Sequence, residues 1–225
     1  MNYRRIAADG LWRNNPALVQ LLGLCPLLAV SNTVASSLGL GLATLIVLTL
    51  SNLTISLIRG FLDDSTRLPA QIMVIATFVT LAELLLQSYF FDLYQRIGLF
   101  VALIVTNCSL LGRAEGFARR NPARFALADG FMMGLGFLVV ILLMGTIREA
   151  FGQGTLFANM QTIFGESAKD WTLHLGNHGF LLMVLPPGAF ITLGCLIAAR
   201  NYLEDILGSK QTSEQIPTNA QPADS

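Results

Sequence analysis

Six apolar runs decide what this chain can become. A helix needs about 20 mostly apolar residues to cross a bilayer, within a range of about 17–25. Six stretches reach that length or approach it: Ala17 to Val30 (extending through Ser31 and Asn32), Leu38 to Ile58, Ala70 to Phe90, Ile97 to Leu111, roughly Leu127 to Ile147, and Gly179 to Ala199. Hydrocarbon offers the backbone no hydrogen-bond partner, so each run must be helical, or buried by protein where it breaks. Composition agrees: charged residues are only 12% of the chain and hydrophobic residues 53%, where a soluble domain carries about 25% charge. The expected fold class is an all-α integral membrane protein with six transmembrane helices. A single membrane domain would cover residues 1–205, and the polar stretch 206–225 would be a disordered tail.

The flanks give an orientation, because Lys and Arg gather on the cytoplasmic side. With the N-terminus inside, the cytoplasmic segments hold Arg4, Arg5, Arg13, Arg59, Arg67, Arg113, Arg119, Arg120, Arg124, Arg200 and Lys210, and the outer segments hold Arg96, Arg148 and Lys169. That is 11 against 3. Six crossings return the C-terminus to the same side, so both termini are expected in the cytoplasm of a multi-pass inner-membrane protein. A cleaved signal is not expected, since five runs follow the first and no small-residue cleavage site ends it. Leu24 before Cys25 also makes a poor lipoprotein site.

Several function classes drop out. The formal net charge is zero and no basic patch interleaves with aromatics, which argues against nucleic-acid binding. No G-x-S-x-G and no glycine-rich phosphate loop is present. Cys25, Cys108 and Cys195 stand far apart inside apolar runs, so neither a zinc finger nor a disulfide scaffold is written here.

The chain divides into halves, about 14–92 and 93–205, that read as inverted three-helix repeats. Cys25-Pro26-Leu27-Leu28 in the first run has a counterpart in Cys108-Ser109-Leu110-Leu111 of the fourth, and Gly39-Leu40-Gly41 opens the second run as Gly134-Leu135-Gly136 opens the fifth. The first and fourth runs are also the shortest, and Pro26 stands in the middle of the first, where it should break a helix. Short or interrupted spans at matching places in inverted halves point to a site near mid-membrane. Each of these two runs carries a cysteine.

An isolated membrane cysteine is usually a small apolar side chain, and Cys195 is read so, with Gly194 beside it suggesting close helix packing. Cys25 and Cys108 occupy equivalent places on broken spans. A bare thiolate would be costly at that depth, and a metal would share its charge. A two-iron cluster needs four thiolates. One chain supplies two of them, so a partner of like architecture would have to supply the rest. A disulfide is the rival, and a reducing cytoplasm disfavours it.

At these residues the sequence resembles the E subunit of the Rnf complex. The resemblance rests on the stretch from Asn14-Asn15-Pro16 through Gly23-Leu24-Cys25-Pro26 to Val30, on Ile104-Val105-Thr106-Asn107-Cys108 with Gly112-Arg113-Ala114-Glu115, and on Leu185-Pro186-Pro187-Gly188-Ala189-Phe190. It runs from about Gly10 to Asp205. The D subunit of the sodium-translocating NADH:quinone reductase looks similar around both cysteines. The resemblance implies a bacterial inner-membrane complex with core subunits A, B, C, D and G beside E. That family moves electrons between ferredoxin and NAD, coupled to translocation of sodium or protons. It further implies that A, a homologue of opposite orientation, shares one 2Fe-2S cluster with E. The ligands carried over to this chain are Cys25 and Cys108. Flavins belong to other subunits, so none is expected here, and no catalytic residue is assigned.

Other polar residues have plainer readings. Glu83, inside the third run, is either a proton relay or cation ligand, or a plain polar group that lies near the span's end, pairs with another helix or faces solvent. Arg113 with Glu115, and Arg148 with Glu149, read as interfacial ion pairs or orientation signals. Asn107 could hydrogen-bond toward cluster sulfur or between helices. His174 and His178 read as a solvated loop, and Pro186 and Pro187 as a kink in the sixth run. The rivals to an electron carrier are a small secondary transporter, which an inverted repeat alone would fit, and a structural subunit without cofactor.

Overall fold

The computed structural model describes residues 3–60, 66–156, 173–174 and 181–212. In chain order the helices are α1 (Tyr3–Ala8, continued by a π turn through Arg13), α2 (Leu24–Val30), α3 (Val34–Ile58), α4 (Arg67–Tyr89), α5 (Phe91–Val101), α6 (Cys108–Arg113), α7 (Ala123–Gly152), α8 (Leu181–Val184) and α9 (Pro186–Thr212). A two-residue antiparallel ladder pairs Thr155 with His174 and Leu156 with Leu173. Among the described residues, four helical stretches are long and apolar enough to cross a membrane: Val34–Ile58, Arg67–Tyr89, Phe91–Ala118 and Ala123–Gly152. They correspond to the second to fifth apolar runs. α9 continues to Thr212, past the expected boundary at Asp205, and residues 213–225 lie outside the described part.

α3 and α7 form the central pair. Small residues let their backbones approach: a Cβ on Gly134 would lie 3.0 Å from the Leu45 Cα, and one on Gly130 would lie 3.0 Å from the Leu48 carbonyl oxygen. Gly145 meets Ser37 in the same way. The partners step back along α3 as α7 advances, so the two helices are antiparallel. Without a hydrophobic drive between helices in lipid, this close backbone packing is what binds the pair. Leu40, Leu48, Phe137, Ile141 and Met144 fill the seam and are fully buried. α5 seals one flank, with Leu93 and Ile97 packed on Gly39. α4 lies outermost and leaves Met73, Leu84 and Leu85 exposed, as suits a helix that faces lipid or another subunit.

The first apolar run is not a continuous crossing. Residues 14–23 form turns, with Leu21 at φ 53 and Gly23 at φ 77, and only Leu24–Val30 is helical. Pro26 is not the break. It sits in the first turn of α2, where a missing N–H costs nothing because that group has no intrahelical acceptor. The break lies upstream, at Asn15 and Gly23. The fourth run breaks as expected: α5 runs through a 3₁₀ turn (Ala102–Ile104) and stops at Asn107, whose extended backbone opens α6. The sixth run breaks at Leu185, between α8 and the proline pair that opens α9.

Arg148 and Glu149 correct the interfacial reading. Arg148 is 1% exposed and Glu149 is fully buried. The Arg148 guanidinium donates to the Ser31 Oγ (2.9 Å) and the Leu28 carbonyl (3.4 Å) at the C-terminal end of α2, and to the carbonyls of Met183 (3.1 Å), Val184 (2.8 Å) and Leu185 (3.3 Å) at the end of α8. The Glu149 Oε2 accepts from the Val34 N–H (2.6 Å) at the start of α3. A cation therefore sits on two helix C-termini and an anion on an N-terminus, each matched to the local dipole. Flanking position does not report burial, because the elements that cover these residues come from distant sequence.

Three substitutions test this core. Gly134→Leu should overpack the α3–α7 seam and cost about 1–3 kcal/mol, read as a fall of several degrees in the Tm of the detergent-solubilised protein at roughly 2–4 °C per kcal/mol. Arg148→Met should cost about 3 kcal/mol, since charged hydrogen bonds are lost and buried carbonyls are left unpaired. Arg148→Lys should fall between the two proteins in the same melt, because an ammonium cannot span both carbonyl sets.

Candidate functional site

The two broken runs meet. Asn107 is the N-cap of α6: its Oδ1 accepts from the Ser109 N–H at 3.0 Å. Gly23 is the N-cap of α2, in the left-handed region. A Cβ on Gly23 would stand 3.0 Å from the Asn107 Oδ1 and 3.0 Å from the Phe137 ring. Only glycine has both the φ and the space for this position. The starts of α2 and α6 therefore adjoin, and they do so against Phe137, the fifteenth residue of the thirty in α7. That is halfway along a helix about 45 Å long at 1.5 Å per residue.

Asn15 holds the approach to this junction. Its Oδ1 accepts from the N–H groups of Ala17 (3.0 Å) and Leu18 (3.2 Å), and its Nδ2 donates to the carbonyls of Gly136 (3.2 Å) and Leu11 (3.3 Å). The non-helical stretch before α2 is thus tied to the middle of α7. Sequence reasoning misses this role of Asn15. The signal that could find it is an Asn-Pro pair opening an apolar run, a usual turn start.

Cys25 is the second residue of α2 and Cys108 the first of α6. Both are free, exposed thiols. Asn107 is 2% exposed and Ser109 1%, and the Asn107 Nδ2 and the Ser109 Oγ have no hydrogen-bond partner among the described residues. A cluster ligand set needs deprotonated thiols and donors toward sulfur. Two thiols on adjoining helix starts, with unpartnered donors beside them, fit half of a four-thiolate set. No group of three or more metal-binding side chains occurs among the described residues, so a complete set would need ligands from elsewhere.

The remaining candidates separate from this junction. Cys195 is exposed on α9, and a Cβ on Gly194 would meet nothing within 4 Å, so the expected close packing there is not found among the described residues. Glu83, half-buried, accepts from the Tyr94 hydroxyl at 3.2 Å, a tie between α4 and α5. Arg113 does not pair with Glu115. Its Nε donates to the Asp129 Oδ2 at 2.9 Å, its Nη2 pairs with the Oδ1, and its guanidinium lies 5.0 Å over the Phe117 ring. Asp129, 3% exposed, lies near the edge of the fifth run, and the sequence alone shows no partner for it. Glu115 instead accepts from Gln71 at 2.8 Å and pairs with Arg119. Arg59, Arg67 and Arg119 line a cavity of about 80 Å³, which gathers three of the arginines assigned to the cytoplasmic side at one place. The His174 side chain and all of His178 lie outside the described residues. A larger groove of about 480 Å³ between α3 and α4 is lined by leucines and other apolar residues together with Tyr89.

Known proteins resemble this chain over most of its length. Residues 3–197 match the family described as "Rnf-Nqr subunit, membrane protein". The E subunit of an ion-translocating oxidoreductase complex from Pseudomonas paraeruginosa is 52% identical over 221 residues, covering 97% of this chain and 92% of the relative. Proteins of the same name from Cellvibrio japonicus (54% identical, 91% of this chain and 87% of the relative) and Thioalkalivibrio sulfidiphilus (50% identical, 98% of each) are also similar. A family match across most of the chain, relatives at half identity over nearly full length, and a helical bundle with several membrane-length helices agree: the chain belongs to the Rnf-Nqr family of membrane subunits and is an E-type subunit of an ion-translocating oxidoreductase complex.

Proposed function

We propose that this chain is an electron-transfer subunit in which Cys25 and Cys108 supply two of the four thiolates of a 2Fe-2S cluster at mid-membrane. The homologous A subunit, of opposite orientation, supplies the other two. The observation that carries this reading is the meeting of the two half-helix starts at Gly23 and Asn107, halfway along α7, with an exposed thiol just inside each. Exposure is what an interface ligand requires. A pair of ligands enclosed within one chain would be buried.

The chain's own residues do three things. Asn15 and Gly23 end the non-helical approach and start α2 at the right depth. Asn107 starts α6 against it. Cys25 and Cys108 bind iron as thiolates, a charge that is tolerable in lipid only when shared with metal. Such a cluster takes up and passes on single electrons. In this reading the chain crosses the bacterial inner membrane six times as two inverted halves, with both termini in the cytoplasm. It works with subunits B, C, D and G as well as A, and the complex couples electron transfer between ferredoxin and NAD to sodium or proton movement.

The test uses the assembled complex. Cys25→Ser and Cys108→Ser should each remove one two-iron paramagnetic signal and lower ferredoxin–NAD electron transfer to background, while Cys195→Ser leaves both unchanged. If either cysteine variant kept signal and turnover, the assignment would be wrong.

A further inference from the structure

We infer that Asn107 is a positioning and hydrogen-bonding residue of the cysteine site, whose Nδ2 donates to the sulfur held there. The inference deepens the cluster reading above and rests on it. Three observations carry it. First, the side chain is fixed: the Oδ1 accepts the Ser109 N–H at 3.0 Å, so the amide cannot be turned end for end without losing the α6 cap, and the Nδ2 must point the other way. Second, that Nδ2 is buried and has no acceptor among the described residues, in a side chain only 2% exposed. A buried donor left unpaired costs about 1–3 kcal/mol; Ser37 and Asn52 on α3 are also unpaired, but among the described residues in that state only Asn107 and Ser109 flank a cysteine. Third, the amide stands at the contact between the two helix starts, its Nδ2 3.5 Å from where a Gly23 Cβ would be. It is next to Cys108 in sequence and, through Gly23, beside the first turn that holds Cys25.

The acceptors that gain negative charge at this junction are the thiolates and the sulfur they hold. An N–H donated to them stabilises that charge, more so in the reduced state, and raises the reduction potential. Ser109 has an unpartnered hydroxyl as well, but a hydroxyl rotates to suit its surroundings. The Asn107 amide is held, so it is the residue to test.

Asn107→Ser keeps a good N-cap acceptor and the charge of the site while removing the amide donor, and Asn107→Ala removes both. In the purified complex, redox titration of the two-iron signal should show Asn107→Ser assembled at wild-type iron content with its reduction equilibrium about tenfold less favourable, about 59 mV lower for a one-electron couple. With 15N-asparagine labelling, the hyperfine coupling of the wild-type signal to a side-chain nitrogen should change isotope pattern and be lost in Asn107→Ser. Asn107→Ala should lower iron content in addition. If Asn107→Ser titrates with the wild type and the nitrogen coupling persists, Asn107 is a helix cap only and the inference fails while the cluster reading stands. If the wild-type complex shows no such signal at all, the cluster reading itself fails, and this inference with it.

Discussion

A helix that breaks inside a membrane frees backbone groups that hydrocarbon will not bond, and the whole arrangement of this chain follows from how those groups are taken up. Each break has a buried polar side chain set into it. Asn15 takes the N–H groups of Ala17 and Leu18. Asn107 takes that of Ser109, Thr33 takes that of Ser36 and Glu149 that of Val34. Arg148 takes the carbonyls left open at the ends of α2 and α8. Remove these side chains and neither short helix could remain where it is: at six and seven residues α6 and α2 are far below the length at which a helix stands on its own.

The charges at the Arg148 end show why the pair is tolerated. Burying one ion without compensation would cost several kcal/mol. Here the two adjacent residues point to opposite kinds of helix end, so each finds a partial charge of the other sign together with direct hydrogen bonds. The same pair ties three pieces of chain to α7: the end of α2, the start of α3 and the α8–α9 break. α2 is thus fixed at both ends, by Arg148 at one and by Gly23 against Asn107 and Phe137 at the other. Rigid ends matter for the thiol that this seven-residue helix carries, because its place depends on the frame that holds it.

Much of this is legible in the sequence. The second, third and fifth runs form helices within about five residues of their expected limits, since apolar length alone specifies a crossing. The two cysteine runs read as interrupted, and they are. The cause of the first interruption is not the one its sequence suggests: Pro26 looks like the helix breaker, while the break lies at Asn15 and Gly23, whose part depends on the distant residues Gly136, Asn107 and Phe137. Arg148, Glu149 and Asp129 escape a sequence reading for one reason. A charge at the end of an apolar run looks interfacial, and only the fold shows what covers it. The rule that an ionisable residue at membrane depth has a partner is the signal that directs a search for those contacts.

The exposed thiols follow from the same principle of satisfied groups. Over long sequence distances this chain pairs its own polar atoms, as Arg148 does with Ser31 and Ser56 with the Asn121 carbonyl. At the Gly23–Asn107 junction the pairing stops short, with two free thiols open to the outside and donors left without acceptors among the described residues. Ser37 and Asn52 in the α3–α7 seam also lack partners, but among the described residues only at the junction do unpaired buried atoms flank an exposed thiol. The gap makes sense if something outside the chain completes it, and a surface in lipid can be completed by a polar group only when another protein brings it. The unsatisfied junction is thus an argument for assembly that stands on the packing of this one protein.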